Sequence, residues 1–102
     1  MDLARVEGTV VSTAKTESLH GYKLLVITLL NADTSPTENQ IVAIDTVGSG
    51  WDEVVLVVRG SSARQAKGLE TVPSDASIVA IVDTVVFRGK TVYEKLSEGE
   101  TS

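Results

Sequence analysis

Asp45-Thr46-Val47-Gly48-Ser49-Gly50-Trp51 leads, through Val54-Val55-Leu56-Val57-Val58, to Arg59-Gly60-Ser61-Ser62-Ala63-Arg64-Gln65-Ala66. This stretch predicts a strand end, a glycine turn, an apolar strand, a second glycine turn and a short helix. The unbroken apolar run at 54–58 predicts a strand covered on both faces. Gly48 and Gly50 before it and Gly60 after it mark tight reversals of the backbone. Ser62 followed by Gln65 fits a capping box, in which the hydroxyl accepts from the Gln65 N–H and the amide reaches back. A helix is therefore expected over Ser62–Lys67. The stretch is rich in turn-forming residues and poor in reactive ones.

Working outward, the same alternation of apolar runs and turns fills the chain. Leu3–Thr13 predicts a first strand, with Gly8 at a bend or bulge. Lys23–Leu30 predicts a second, Gln40–Val47 a third and Trp51–Val58 a fourth. Ser77–Arg88 predicts a long fifth strand, and Arg88-Gly89-Lys90 a hairpin turn into a short strand at Thr91–Tyr93. Asn31–Asn39 is expected to be a surface loop. Short strands at regular spacing with one small helix indicate an all-β fold, a small OB-like five-stranded β-barrel. Residues 1–93 are expected to form this domain. Residues 94–102 are acidic and Gly/Ser-rich and are expected to fray.

A small barrel has one interior, so its strands should alternate apolar-in and polar-out. Several strands here do not. Ile78, Ala80, Val82 and Val86 would share one face of the fifth strand, and Val79, Ile81, Val85 and Phe87 the other. A chain of 102 residues has no further layer to cover the outer faces. Large exposed apolar patches mark interaction sites. The pattern therefore predicts that neighbouring copies cover them, in an obligate oligomer.

The composition narrows function by exclusion. The chain has no cysteine, so it has no disulfide framework, thiolate nucleophile or zinc–thiolate site. Its net charge of −5 opposes non-specific binding to nucleic acid and to anionic membranes. No apolar run approaches the roughly 20 residues of a membrane helix, and the N-terminus lacks a signal-like run. A soluble cytoplasmic protein is expected.

Candidate chemistry fails on inspection. Asp45-Thr46 and Asp83-Thr84 suggest an aspartic protease dyad, but Val47 and Val85 stand where the tight-turn glycine belongs. Each Asp is expected instead to end or interrupt a strand and accept local N–H bonds. Gly48-Ser49-Gly50 begins like a dinucleotide loop, but Glu53 replaces the third glycine and a strand follows. Gly89-Lys90-Thr91 mimics the end of a phosphate loop without its first glycine. His20, the only histidine, has no Cys and only Glu17 within a few residues, and is expected to be an exposed loop histidine. Trp51 is expected to anchor an interface or the core. Arg59 and Arg64 flank Gly60-Ser61-Ser62-Ala63, where a helix start could hold an anion. The plainer expectation is that these arginines pair with acids. No cofactor and no metal are expected.

These residues also carry a resemblance. Leu3-Ala4-Arg5-Val6-Glu7-Gly8-Thr9-Val10-Val11-Ser12-Thr13, Leu19-His20-Gly21-Tyr22-Lys23-Leu24-Leu25, Val42–Gly50, Val55–Ala66 and Pro73–Asp83 occur in family order. In these motifs the chain resembles the pentameric vertex proteins of bacterial microcompartments, the family of the carboxysome vertex and ethanolamine-utilisation shell proteins. The resemblance implies a barrel that assembles as a ring of five and closes the vertices of a shell. It implies no catalysis. The partners it implies are further copies of the chain and hexameric shell proteins, in a cytoplasmic compartment. Gly48, Ser49, Gly50, Gly60, Ser61, Ser62, Ala63 and Arg64 match family motifs, which suggests that these turns shape subunit contacts and the surface near the ring axis. The alternative is a small OB-like module binding a ligand or anion at Ser61-Ser62.

Overall fold

A computed structural model describes residues 1–11, 22–60 and 76–95. Among them are seven strands: β1 (Asp2–Val10), β2 (Lys23–Leu30), β3 (Pro36–Asp45), β4 (Val54–Arg59), β5 (Ala76–Ile81), β6 (Thr84–Phe87) and β7 (Lys90–Glu94). The first five close into a barrel in the order β1-β2-β3-β5-β4, and β6 and β7 form a separate hairpin. All barrel pairings are antiparallel except β3–β5, which is parallel. The expected all-β, five-stranded barrel is present. The short helix expected at Ser62–Lys67 lies outside the described residues.

Strand periodicity decides what fills the interior. Leu25, Ile27 and Leu29 of β2 face inward with Ala4 and Val6 of β1, Ala43 of β3 and Val55 and Val57 of β4. Ala76 and Ile78 complete the cluster from β5. Branched side chains dominate because they pack well on a pleated surface. Gly8 sits where the β1–β2 register shifts, and it pairs with Val26. The expected bulge is thus observed.

Two expectations about strand extent are corrected. The loop expected over Asn31–Asn39 is shorter, because β3 already begins at Pro36. A proline suits the first residue of a strand, where its missing N–H costs no ladder bond. The tight turn before it is closed by Asn31 N–H to Ser35 O (2.8 Å) and Ser35 N–H to the Asp33 carboxylate (3.0 Å). Thr34 there takes φ 67°. Those Ser35 contacts, through the hydroxyl and then the N–H, hold the Asp33 carboxyl below its ordinary value.

The long strand expected at Ser77–Arg88 is in fact two. β5 ends at Ile81, and the Val82 N–H makes a last bond to Val54 O at 2.8 Å. The chain then leaves the barrel. From Thr84 it pairs with β7 instead, where Thr84 lies opposite Glu94 and Phe87 opposite Lys90. The expected Arg88-Gly89 turn joins them, with φ 55° and 78°. Positive φ at both central positions gives the twist that matches flanking strands.

The hairpin is tied to the barrel by polar contacts. Lys95 N–H donates to Asp83 O (2.8 Å) and closes the base of the hairpin, and Thr34 Oγ1, which donates to Asp33 O at 2.6 Å, lies 3.3 Å from Val92 O. Lys95 Nζ meets Glu53 Oε2 at 2.7 Å. The Arg5 guanidinium lies 5.7 Å from the Tyr93 ring centre. The Lys95 ammonium, opposed by partial burial and helped by the Gly50 N–H, lowers the Glu53 carboxyl below its ordinary 4.5. Its bond to Glu53 raises Lys95 above 10.5.

Because the folded Glu53 value is depressed, its contribution to stability is present above pH 4.5 and is lost as pH falls through the lowered folded value. The raised Lys95 value works the other way: its share is present below pH 10.5 and lost as pH rises through the folded value. We expect thermal melts of Glu53→Gln to lose less stability on acidification below pH 4.5 than the parent chain does. Equal acid losses in the two proteins would show that the Glu53–Lys95 pair does not hold the hairpin.

Candidate assembly surface

The turn between β3 and β4 is built around Asp45. Its Oδ1 accepts from the Ser49 hydroxyl at 3.0 Å and from the Val47 N–H at 3.2 Å. Ser49 is fully buried, so its hydroxyl needs this partner. Gly48 takes φ 77°, which an L side chain rarely adopts. Gly50 and Glu53 close the next turn reciprocally: the Gly50 N–H donates to Glu53 Oε1 (2.6 Å) and the Glu53 N–H to Gly50 O (3.3 Å). Asp45 therefore ends a strand and caps local donors, as expected. Its geometry is that of a turn, and among the described residues no second carboxylate shares it.

Of the motif residues singled out, Gly48, Ser49 and Gly50 come together in this turn. Gly60 (φ 69°) follows the other end of β4, about 20 Å of strand away. Ser61, Ser62 and Arg64 lie outside the described residues, as does His20. Arg59 pairs with Asp2 at 3.0 Å, the acid partner expected of it. Gly50 leads into strand rather than helix, and Gly89-Lys90 is a hairpin turn, so neither phosphate-loop likeness survives. Among the described residues no cluster of His, Asp or Glu could hold a metal ion, and no helix is long and apolar enough to cross a membrane.

Trp51 is 76% exposed, which corrects the alternative of a core anchor. It borders a pocket of about 420 Å³ with Arg5, Asp52, Glu53, Tyr93, Glu94 and Lys95. The pocket joins the β3–β4 turn to the base of the hairpin. Arg5 Nη1 donates to Asp52 O (2.9 Å) and its carboxylate (3.1 Å), and Asp52 holds φ 69°. Most of its charged groups are thus already paired with each other: Arg5 with Asp52, Glu53 with Lys95.

The outer wall of the barrel carries what the strand patterns predicted. Gly8 lies opposite Val26, and Val26 opposite Val42, so one row crosses β1, β2 and β3. The neighbours Leu25, Ile27, Ile41 and Ala43 all serve the core, so this row faces out. Val42 is 48% exposed. Gly8 keeps the row low at one end. Counting apolar residues could show that outer faces exist; only the pairing register could show which valines line up.

The turn geometry makes a direct expectation. Ser49→Ala leaves a buried Asp45 oxygen short of a donor and should cost about 1–3 kcal/mol in chemical denaturation. A loss below about 0.5 kcal/mol would mean that the Asp45–Ser49 bond does not organise the turn.

The family model "Ethanolamine utilisation protein EutN/carboxysome" matches residues 1–83. The carboxysome shell vertex protein CcmL of Synechocystis sp. is 48% identical over 99 residues, covering 97% of this chain and 99% of that one. The solved CcmL of Gloeobacter violaceus is 44% identical with a TM-score of 0.86, covering 93% of this chain and 98% of that one. The GrpN pentameric microcompartment shell protein of Rhodospirillum rubrum is 50% identical with a TM-score of 0.77, covering 85% and 99%. A family match over most of the sequence, near-complete coverage of relatives and the same barrel agree. The chain belongs to the ethanolamine utilisation protein EutN/carboxysome family.

Proposed function

We propose that this chain is a structural shell protein that forms a homopentamer and caps the vertices of a bacterial microcompartment. The observation that carries this is the 48% identity, over nearly the whole chain, to a carboxysome shell vertex protein. The pentameric state of the GrpN relative supports the ring. The outward row of Gly8, Val26 and Val42 supports it independently, because a barrel wall of this kind stays dry only against another surface.

The mechanism is geometric. A sheet of six-fold tiles curves and closes only where five-fold units replace six-fold ones, and a ring of five supplies that unit. Its partners are hexameric shell proteins around it, in the cytoplasmic shell. The work is done by interface shape, so no reacting group is needed. The stiff Gly48-Ser49-Gly50 turn, together with Gly60, Ser61, Ser62 and Arg64, shapes the subunit contacts or the surface near the ring axis. Ring closure demands a reproducible interface angle, and buried turn bonds such as Asp45–Ser49 help to hold one. The domain expected over residues 1–93 extends through Glu94, the last residue of β7, and Lys95, which pairs with Glu53; the rest of the expected tail lies outside the described residues. The alternative anion module rests on Ser61 and Ser62, and nothing among the described residues favours it.

Native mass spectrometry tests the proposal. The expected species is five times the 10.8 kDa chain, about 54 kDa. A chain that stays monomeric at every concentration would overturn it.

A further inference from the structure

Among the described residues the β6–β7 hairpin is held to the barrel mainly by the Lys95–Glu53 pair and the Arg5–Tyr93 contact. An isolated two-stranded hairpin is at best marginally stable in water. None of residues 84–94 is fully buried, and none belongs to the core cluster. Yet the hairpin displays Val86, which is 63% exposed. Its tip carries Arg88 and Lys90, both exposed, on a chain of net charge −5. Lys90 makes no ion pair with a described residue.

The outer wall offers the complement. The Gly8–Val26–Val42 row is apolar, and the exposed Glu7 stands beside it on β1 with no ion pair among the described residues. Glu38, also exposed, lies further along β3. Hairpin and wall do not satisfy each other within one chain, because Val86 and Val42 both remain exposed. They are also different surfaces of the molecule. That is the arrangement a head-to-tail contact requires if it is to close into a ring.

We propose that the β6–β7 hairpin is the arm by which one copy holds the next. Val86 seats on the Gly8–Val26–Val42 row of a second copy, and the basic tip lies against Glu7 and Glu38 of that copy. This rests on the ring proposed above and names the surfaces that make it.

The absence of cysteine makes the test clean. A Val86→Cys, Val42→Cys double variant is oxidised and run on a non-reducing denaturing gel, with each single variant as control. The expected result is a ladder of covalent species reaching five chains from the double variant and no ladder from the singles. Val86→Asp, at an exposed site, should keep the circular dichroism spectrum of the parent and raise the concentration for half-assembly by about tenfold or more. Absence of the ladder overturns the arm, whatever Val86→Asp does. If the parent chain is still a pentamer by native mass spectrometry, the ring stands and only the arm is lost. A monomeric parent removes both.

Discussion

The constraint on which this structure depends is closure of a five-stranded barrel around an interior that admits one face of each strand. Leu25, Ile27, Leu29, Val55, Val57 and Ile78 fill that interior. Closure gives each of the five strands two neighbours, with β3 meeting β5 only at Ile44 and Asp45. It also fixes the fate of the remaining apolar residues. Val26 and Val42 alternate with core residues, so once Leu25, Ile27 and Ala43 point in, they must point out. This outward surplus is the surface that the proposed ring would cover.

The polar residues that matter are those that hold turns, not those that react. Asp45 accepts from Ser49 and Val47, Glu53 from Gly50 and Lys95, and Asp33 from Ser35. Each carboxylate saturates donors that a tight turn would otherwise strand. Three of the chain's fourteen acidic residues are used in this way. Stiff turns suit a protein whose proposed work depends on the angle between copies, since a small error per interface accumulates around a ring.

Arg5 and Lys95 connect the two halves of the molecule. Arg5 leaves β1 to bind Asp52 beyond β3 and to face Tyr93 on the hairpin, while Lys95 returns from the hairpin to Glu53. These contacts are half-exposed and individually weak. Together they aim the hairpin without burying it, which leaves Val86 in solvent.

Much of this was legible in the residues. Apolar runs punctuated by glycine marked the barrel strands, Arg88-Gly89 marked its hairpin turn, and the order of motifs marked the family. Each likeness to a catalytic or phosphate motif lacked a residue that the motif requires. Other features were not legible. Ile78 through Phe87 reads as one apolar strand, but the chain leaves the barrel at Val82–Asp83, because β4 offers Val54 O as its last partner and β7 becomes the next. Trp51 is apolar enough for a core, yet the turn holding it projects outward. Local period and turn chemistry are properties of neighbours along the chain, so the sequence by itself determined where apolar strands lie, though not all their bounds, together with the fold class and the family. Register and strand exit depend on partners distant in sequence, such as Val26 with Val42 and Lys95 with Glu53. Only the tertiary structure could therefore decide which valines form an outer row and where the hairpin stands.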